Sequence, residues 1–186
     1  MHFLIIKHHN ESISSRVGNI ALVIALLVIF SLIWGRFWVG HLSDDIDNKA
    51  TIIKIHIGAG FTIFYLMIAR VVFKKLKGSP APVDVNAVKT NKLSKLVHFF
   101  LYVVIFSVCI SGIVTAFIYG LLPSLFVDPD FLMPSILPKN IPSQSAHHFM
   151  ANLHLVLVVV HISAALIHQL IWKDKLLSRM WFKKKQ

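Results

Sequence analysis

The chain has 186 residues, of which 56% are hydrophobic and 15% are charged, and its mean hydropathy is +0.71. A water-soluble domain seldom combines so little charge with such long apolar runs. The formal charge of +11 would by itself favour nucleic acid, but the basic residues flank the apolar runs. We therefore expect contact with the lipid bilayer and no nucleic-acid partner. The single cysteine, Cys109, excludes an intramolecular disulfide and is expected to be a small buried hydrophobe.

Four apolar runs predict four membrane spans, at about 17–38, 50–73, 96–119 and 145–172. The first run is longer than the apolar core of a signal peptide, so we interpret it as a retained span. Small residues in the third run, among them Ser111, Gly112 and Thr115, would let helices approach closely. The proline-rich connector at 120–145 excludes a continuous helix there but allows a packed cap. The expected fold is an all-α four-helix transmembrane bundle over residues 1–186.

The distribution of basic residues predicts the orientation of these spans. The connectors at 35–49 and 120–145 contain only Arg36, Lys49 and Lys139, against five aspartates. Nearly all other Lys and Arg residues lie in the N-terminus, the middle connector and the C-terminal tail. By the positive-inside rule, both termini and the middle connector are cytoplasmic. Aromatic residues at the span ends, including Trp34 and Tyr119, are interpreted as interface anchors.

Histidine recurs every seven residues along the fourth span, at His147, His154, His161 and His168. At about 100° per residue these side chains form one slowly drifting stripe with a spacing of about 10.5 Å. The predicted topology places His56 of the second span at the depth of His147. Two neutral imidazoles from neighbouring helices suit a six-coordinate haem iron, so we predict that both bind haem b near the outer surface.

A second haem nearer the cytoplasm would suit His161, which lies about 21 Å farther along the helix. The sequence does not determine the second ligand of this haem. The position of the first span that would face His161 is near Asn19, and asparagine is a poor haem ligand. His98 and His168 are the alternatives, because both lie at the cytoplasmic side. His168 and His154 are alternatively packing residues, or hydrogen-bond to a haem propionate or a quinone.

Other polar residues have competing interpretations. Arg70 is either an anchor that extends to the membrane surface or a contact for a haem propionate or quinone. His148 lies about 100° from His147 on the helix and is expected to face the interface. A zinc site or a proton relay ranks below haem, because the spans contain no Asp or Glu and Cys109 is not placed beside the histidine pair.

Several segments resemble the bacterial cytochrome b561 family, whose members are small four-helix di-haem proteins of the inner membrane. The resemblance covers nearly the whole chain. The matching segments are Ile55-His56-Ile57 with Gly60, Leu66-Met67 with Arg70, Lys95-Leu96-Val97-His98-Phe99-Phe100-Leu101-Tyr102, Ala146-His147, Ala151-Asn152-Leu153, His161 with Ala164-Ala165-Leu166 and His168, Trp172-Lys173-Asp174, and Arg179-Met180.

The resemblance implies ligands for two haems. The outer haem would use His56 and His147, and the inner haem would use His161 with a histidine in the first span. Counting back from His56 with the family's spacing, the first-span histidine should be at position 19. This sequence departs from the pattern there, because residue 19 is Asn19. The chain would therefore hold one haem b, or recruit another histidine, such as His98, His168, His8 or His9, for the second.

The expected function is electron transfer between the membrane quinone pool and a donor or acceptor on the periplasmic side, as part of a respiratory chain. The resemblance includes a type that oxidises superoxide while reducing ubiquinone, which would make the chain an oxidoreductase. The alternative is a non-catalytic, haem-bearing membrane anchor or electron-transfer subunit for a separate dehydrogenase or periplasmic cytochrome. No catalytic acid, base or nucleophile is predicted.

Overall fold

A computed structural model describes the backbone of residues 2–39, 46–77, 88–123 and 141–171, and the side chains of residues 20–39, 51–76, 92–123 and 141–171. The described residues form the helices α1 (His2–Phe37), α2 (Ile46–Lys77), α3 (Val88–Ile118) and α4 (Pro142–Leu170). They contain no strand, which confirms the predicted all-α fold. Each helix begins before its predicted span, because backbone hydrogen bonding continues into polar flanks that an apolar pattern does not reveal.

Each helix contains a segment long and apolar enough to cross a membrane, at Ile20–Phe37, Thr51–Leu76, Lys92–Ile118 and Pro142–Leu170. Large apolar side chains cover the outside of the bundle, and Phe117 is 72% exposed. A surface of this kind suits the acyl chains of a bilayer and is rare on soluble monomers. The predicted transmembrane bundle is therefore confirmed.

Local sequence determines the helix ends that flank the last connector. At the end of α3, Gly120 has a φ of 66°, which only glycine adopts easily. Its amide donates to the Phe117 carbonyl, and the Leu121 amide donates to the Ala116 carbonyl, so the helix ends in a Schellman motif. The helix α4 begins at Pro142, whose missing N–H costs nothing in the first turn.

Antiparallel neighbours pack in the order α1–α2, α2–α3 and α3–α4. Buried residues from the first three helices form one apolar core in the middle of the bundle: Ile24, Val28, Ile63, Met67, Ile105 and Cys109. Cys109 is thus a small buried hydrophobe, as expected. This core holds α1, α2 and α3 together, while α4 packs mainly along α3.

Polar contacts join the C-terminal end of α3 to the N-terminal end of α4. Thr115 Oγ1 donates to Ser143 Oγ at 3.0 Å, and the Tyr119 hydroxyl donates to Gln144 Oε1 at 2.7 Å. These bonds need helices that lie close together, which confirms the prediction from the small residues of the third run. Tyr119 thereby joins two helices instead of acting only as an interface anchor.

The helix α1 joins its neighbours through two further bonds. Trp34, predicted as an interface anchor, is partly buried and donates from Nε1 to the Ile52 carbonyl of α2 at 3.1 Å. At the same end of the bundle, the Arg36 guanidinium donates to Asn152 Oδ1 of α4 at 3.1 Å. These bonds bring α1, α2 and α4 together at the end of the bundle where His56 and His147 lie.

Candidate cofactor site

His56 of α2 and His147 of α4 meet inside the bundle. Their ring centres lie 6.1 Å apart and the ring planes are nearly perpendicular, at 82°. The two residues are 91 positions apart in the chain, so only the folding of the bundle brings them together. The sequence predicted this convergence from matched depths, and the structure places the two imidazoles accordingly.

A glycine of a neighbouring helix makes room for each of these imidazoles. A Cβ atom on Gly35 of α1 would lie 2.9 Å from Cε1 of His56, and a Cβ atom on Gly112 of α3 would lie 2.9 Å from Cε1 of His147. Any larger residue would clash with the ring. The two glycines therefore leave the space on α1 and α3 in which the imidazoles lie.

Hydrogen bonding selects the tautomer of His147. Its Nδ1 lies 2.9 Å from the Val108 carbonyl oxygen and 3.4 Å from Ser111 Oγ. A carbonyl can only accept, so Nδ1 carries the proton and Nε2 presents its lone pair. This arrangement is typical of histidines that bind a metal through Nε2. Nδ1 of His56 is buried and has no hydrogen-bond partner among the described residues.

The donor set fits an axial pair better than a tetrahedral metal site. Two imidazoles that bind one metal ion from opposite sides, each at about 2 Å, have ring centres about 6 Å apart. The separation between His56 and His147 agrees with this value. Within the described part of the chain, no group of three or more His, Cys, Asp or Glu side chains converges, so a tetrahedral zinc site has no ligand set there.

A second imidazole pair lies farther along α4, where it faces α3. His98 of α3 and His161 of α4 have ring centres 5.2 Å apart and an interplanar angle of 79°. Nδ1 of His98 lies 2.6 Å from the Ser94 carbonyl oxygen, so this ring also carries its proton on Nδ1. Of the candidate partners of His161 whose side chains are described, His98 is the one in ring contact. His168 lies about two turns farther along α4.

Arg70 is held inside the bundle one helical turn from the second pair. Its Nε donates to the Tyr102 hydroxyl at 2.9 Å, and Nζ of Lys74 lies 5.3 Å from the centre of the Tyr102 ring. Tyr102 follows His98 by four residues and therefore lies on the same face of α3. Two cationic groups are thus positioned beside the His98–His161 pair.

The sequence profile of the prokaryotic cytochrome b561 family matches residues 20–183, which include all four spans and both imidazole pairs. The chain belongs to this family. It is also similar to cytochrome b561 homolog 1 of Escherichia coli strain K12, at 30% identity over 140 residues, covering 71% of this chain and 76% of that protein. The chain is accordingly a haem b-binding, multi-pass electron-transfer protein of the prokaryotic inner membrane.

Several residues with a predicted role lie outside the described part of this cytochrome b561. The side chains of Asn19 and the N-terminal histidines lie outside the described residues, as do most of the proline-rich connector and the basic tail. The predictions made for them stay predictions. A Cβ atom on Gly58 or Gly60 would meet no atom within 4 Å, so there is open space at these two glycines of the helix that carries His56.

His154 differs from the other histidines of the stripe. It is 4% exposed, and neither ring nitrogen has a hydrogen-bond partner within the described part of the chain. His148, by contrast, is exposed, as its position on the helix predicted. Sequence reasoning missed the supporting residues Gly35, Val108 and Tyr102. A heptad pattern identifies the helix that carries the histidine stripe, but it does not indicate which neighbouring atoms contact each ring.

Proposed function

We propose that this chain transfers electrons between the membrane quinone pool and a donor or acceptor at the periplasmic face, through a haem b bound by His56 and His147. The observation that carries the proposal is the pairing of these two imidazoles at 6.1 Å between α2 and α4. Family membership supports the cofactor. The haem supplies reversible one-electron chemistry when bound, with a potential determined by its axial ligands and their burial.

The residues around the pair would keep both ligands in place during electron transfer. The Val108 carbonyl holds Nδ1 of His147, which would leave Nε2 available to bind the iron. Gly35 and Gly112 leave room for the two rings at the surfaces of α1 and α3. Ligands that are already positioned need little rearrangement when the charge at the site changes.

Two further residues are proposed to contact cofactor or substrate. Arg70, held by the Tyr102 hydroxyl, would bind a haem propionate or a quinone oxygen through its guanidinium group. His168, half-buried near the end of α4, would hydrogen-bond to the same class of group. Both lie at the end of the bundle that charge distribution assigns to the cytoplasm.

Orientation and substrate follow from the same charge distribution. With both termini and the middle connector in the cytoplasm, the His56–His147 pair lies near the periplasmic face. A donor arriving there is proposed to be superoxide. Two superoxide ions would release two electrons and become dioxygen, and two electrons with two protons would reduce one ubiquinone to ubiquinol.

The first experiment is a pyridine haemochrome assay of the purified protein with a haem-to-protein ratio. His56→Ala and His147→Ala should each remove one haem per chain, because a single imidazole leaves the iron with one axial ligand. His148→Ala is the matched control, since this neighbour is exposed on the same turn of α4. A wild-type protein without haem would refute the proposal.

The second experiment separates catalysis from a carrier role. Ubiquinol, or a pulse of superoxide, is added to the isolated oxidised protein, and the haem absorbance is followed. Reduction by superoxide, followed by re-oxidation on adding ubiquinone, is the expected result. If the haem is inert to both but the protein co-purifies with a dehydrogenase or a periplasmic cytochrome, the chain is instead a haem-bearing subunit of that complex.

A further inference from the structure

We propose that Trp34 is a positioning residue for the haem held by His56 and His147, and that it acts on His56 through the Ile52 carbonyl. The indole takes the hydrogen-bond acceptor that the imidazole of His56 would otherwise use. His56 is thereby kept the weaker of the two axial ligands. The inference rests on the proposed function, because it concerns the same haem. It gives a redox role to a residue whose position in the sequence predicted only an interface anchor.

The Ile52 carbonyl lies one helical turn before His56 on α2. In an α-helix this oxygen accepts the backbone N–H of His56, and its second lone pair is open to another donor. Trp34 of α1 uses that lone pair, since its Nε1 donates to the Ile52 oxygen at 3.1 Å. A residue of a neighbouring helix therefore fills the acceptor closest to His56 in helical register.

Another histidine of the chain shows the bond that His56 does not make. On α3, Nδ1 of His98 donates to the carbonyl of Ser94, four residues before it, at 2.6 Å. His56 and Ile52 have the same spacing of four residues. Nδ1 of His56 is nevertheless buried with no hydrogen-bond partner among the described residues. The indole of Trp34 at the carbonyl distinguishes this turn of α2 from the corresponding turn of α3.

Aromatic contacts hold the indole of Trp34 in position. Its ring stacks on Trp38, with centres 5.0 Å apart and 13° between the planes, and lies 5.3 Å from the ring centre of Phe30. The next residue along α1 is Gly35, whose Cβ position would lie 2.9 Å from Cε1 and 3.4 Å from Nδ1 of His56. The Nδ1 edge of the imidazole therefore faces α1 beside the residue that carries the indole.

The two axial ligands are consequently supported in different ways. Nδ1 of His147 donates to the Val108 carbonyl at 2.9 Å, whereas Nδ1 of His56 has no such bond within the described part of the chain. A hydrogen bond from the far ring nitrogen makes an imidazole a more basic ligand. A more basic ligand stabilises the oxidised iron. By keeping His56 less basic, Trp34 raises the reduction potential of the haem.

A raised potential favours the first electron transfer of the proposed function. The donor at the periplasmic face loses one electron, and the oxidised haem gains it. The equilibrium of this exchange moves toward reduced haem as the potential of the haem rises. Trp34 would thus favour electron entry without contacting either the donor or the iron.

The test separates the N–H group of Trp34 from its shape. The residue is replaced, by site-specific incorporation, with benzothienylalanine, which has nearly the same size but carries sulfur in place of the N–H group. His56 can then donate to the Ile52 carbonyl. At a fixed applied potential, the ratio of reduced to oxidised haem should fall by about tenfold, which corresponds to about 59 mV. Redox titration of the detergent-purified full chain, followed by haem absorbance, gives the measurement.

The same replacement at Trp38 is the matched control. Trp38 stacks on Trp34 but is 46% exposed, and its replacement should leave the potential unchanged. Trp34→Phe removes the N–H group with a natural residue and should lower the potential as well. Equal shifts at both tryptophans would show that ring stacking, and not the bond to Ile52, determines the potential, and would overturn the inference.

Proton NMR of the reduced protein with isotope-labelled histidine provides a second readout. Six-coordinate ferrous haem is diamagnetic, so the Nδ1–H groups of both ligands can be observed. With benzothienylalanine at position 34, the Nδ1–H resonance of His56 should move downfield as its new hydrogen bond forms. The resonance of His147, already bonded to the Val108 carbonyl, should stay in place.

Failure of this inference differs from failure of the proposed function. If the potential and the His56 resonance are unchanged in a variant that retains its haem, Trp34 has no positioning role and the proposed function stands. Loss of the haem in the isosteric replacement would also overturn the inference, because Trp34 would then support the fold instead of the ligand strength. A colourless wild type would overturn both.

Discussion

Among the described residues, Gly35 and Gly112 are the two glycines whose Cβ position would meet an imidazole of a neighbouring helix. Both glycines are described residues, and neither has a positive φ. The backbone conformation therefore does not require glycine at either position. The requirement is steric, because a Cβ atom at either position would lie 2.9 Å from an imidazole carbon. The identity of these residues is thus determined by side chains on other helices, at His56 and His147.

Gly35→Ala and Gly112→Ala should each destabilise the haem-free protein by about 1–3 kcal/mol, because the added methyl group overpacks a filled interface. The measurement is thermal unfolding in detergent of protein produced under haem limitation. Gly58→Ala is the control, since its Cβ atom meets no other atom within 4 Å. That change should leave the stability equal or slightly higher, as alanine favours a helix. Equal effects at all three glycines would contradict the steric explanation.

At the scale of the helix, the four histidines of α4 are equivalent in their sequence spacing. The fold, however, places them in different surroundings. His147 and His161 contact partner imidazoles, His154 is buried without a hydrogen bond among the described residues, and His168 lies beyond the second pair. His147 and His161, which alternate with the other two histidines of the heptad stripe, therefore each contact an imidazole of another helix. The intervening position faces the packed interior.

His154→Leu should leave the haem content unchanged and raise the thermal stability of the protein. Two buried ring nitrogens without partners carry a desolvation cost of about 1–3 kcal/mol, and leucine has a comparable size without polar atoms. Haem content and melting temperature are measured together on one preparation. Loss of a haem in this variant would mean that His154 supports a cofactor, and the ligand pairing described above would then be incomplete.

The sequence predicts much of this arrangement because hydrophobic length and helical period are local properties. The four spans, the approach of α3 to α4 and the meeting of His56 with His147 follow from run length, small residues and matched depth. The partner of His161 could not be predicted, because depth alone left His98 and His168 equivalent. Only the relative rotation and register of α3 and α4 distinguishes them, and those depend on packing along the whole interface.

For the whole molecule, charge distribution predicts that both termini face the cytoplasm. A green fluorescent protein fused after Gln186 should therefore fluoresce in bacterial cells, whereas alkaline phosphatase fused at the same place should be inactive. Phosphatase inserted in the connector at 124–140 should be active, which provides the matched comparison. Phosphatase activity at the C-terminus would reverse the orientation and place the His98–His161 pair at the periplasmic face.

The fourteen-residue spacing between His147 and His161 has a consequence for energy conversion. A separation of about 21 Å is roughly two-thirds of the hydrocarbon thickness of a bilayer. An electron that moves inward between the two levels therefore crosses most of the transmembrane voltage, at a cost of about 1.5 kcal/mol for each 100 mV. Transfer between the proposed haem at His56 and His147 and a quinone at the depth of His161 would be electrogenic, and the voltage of an energised membrane would oppose inward flow and favour outward flow.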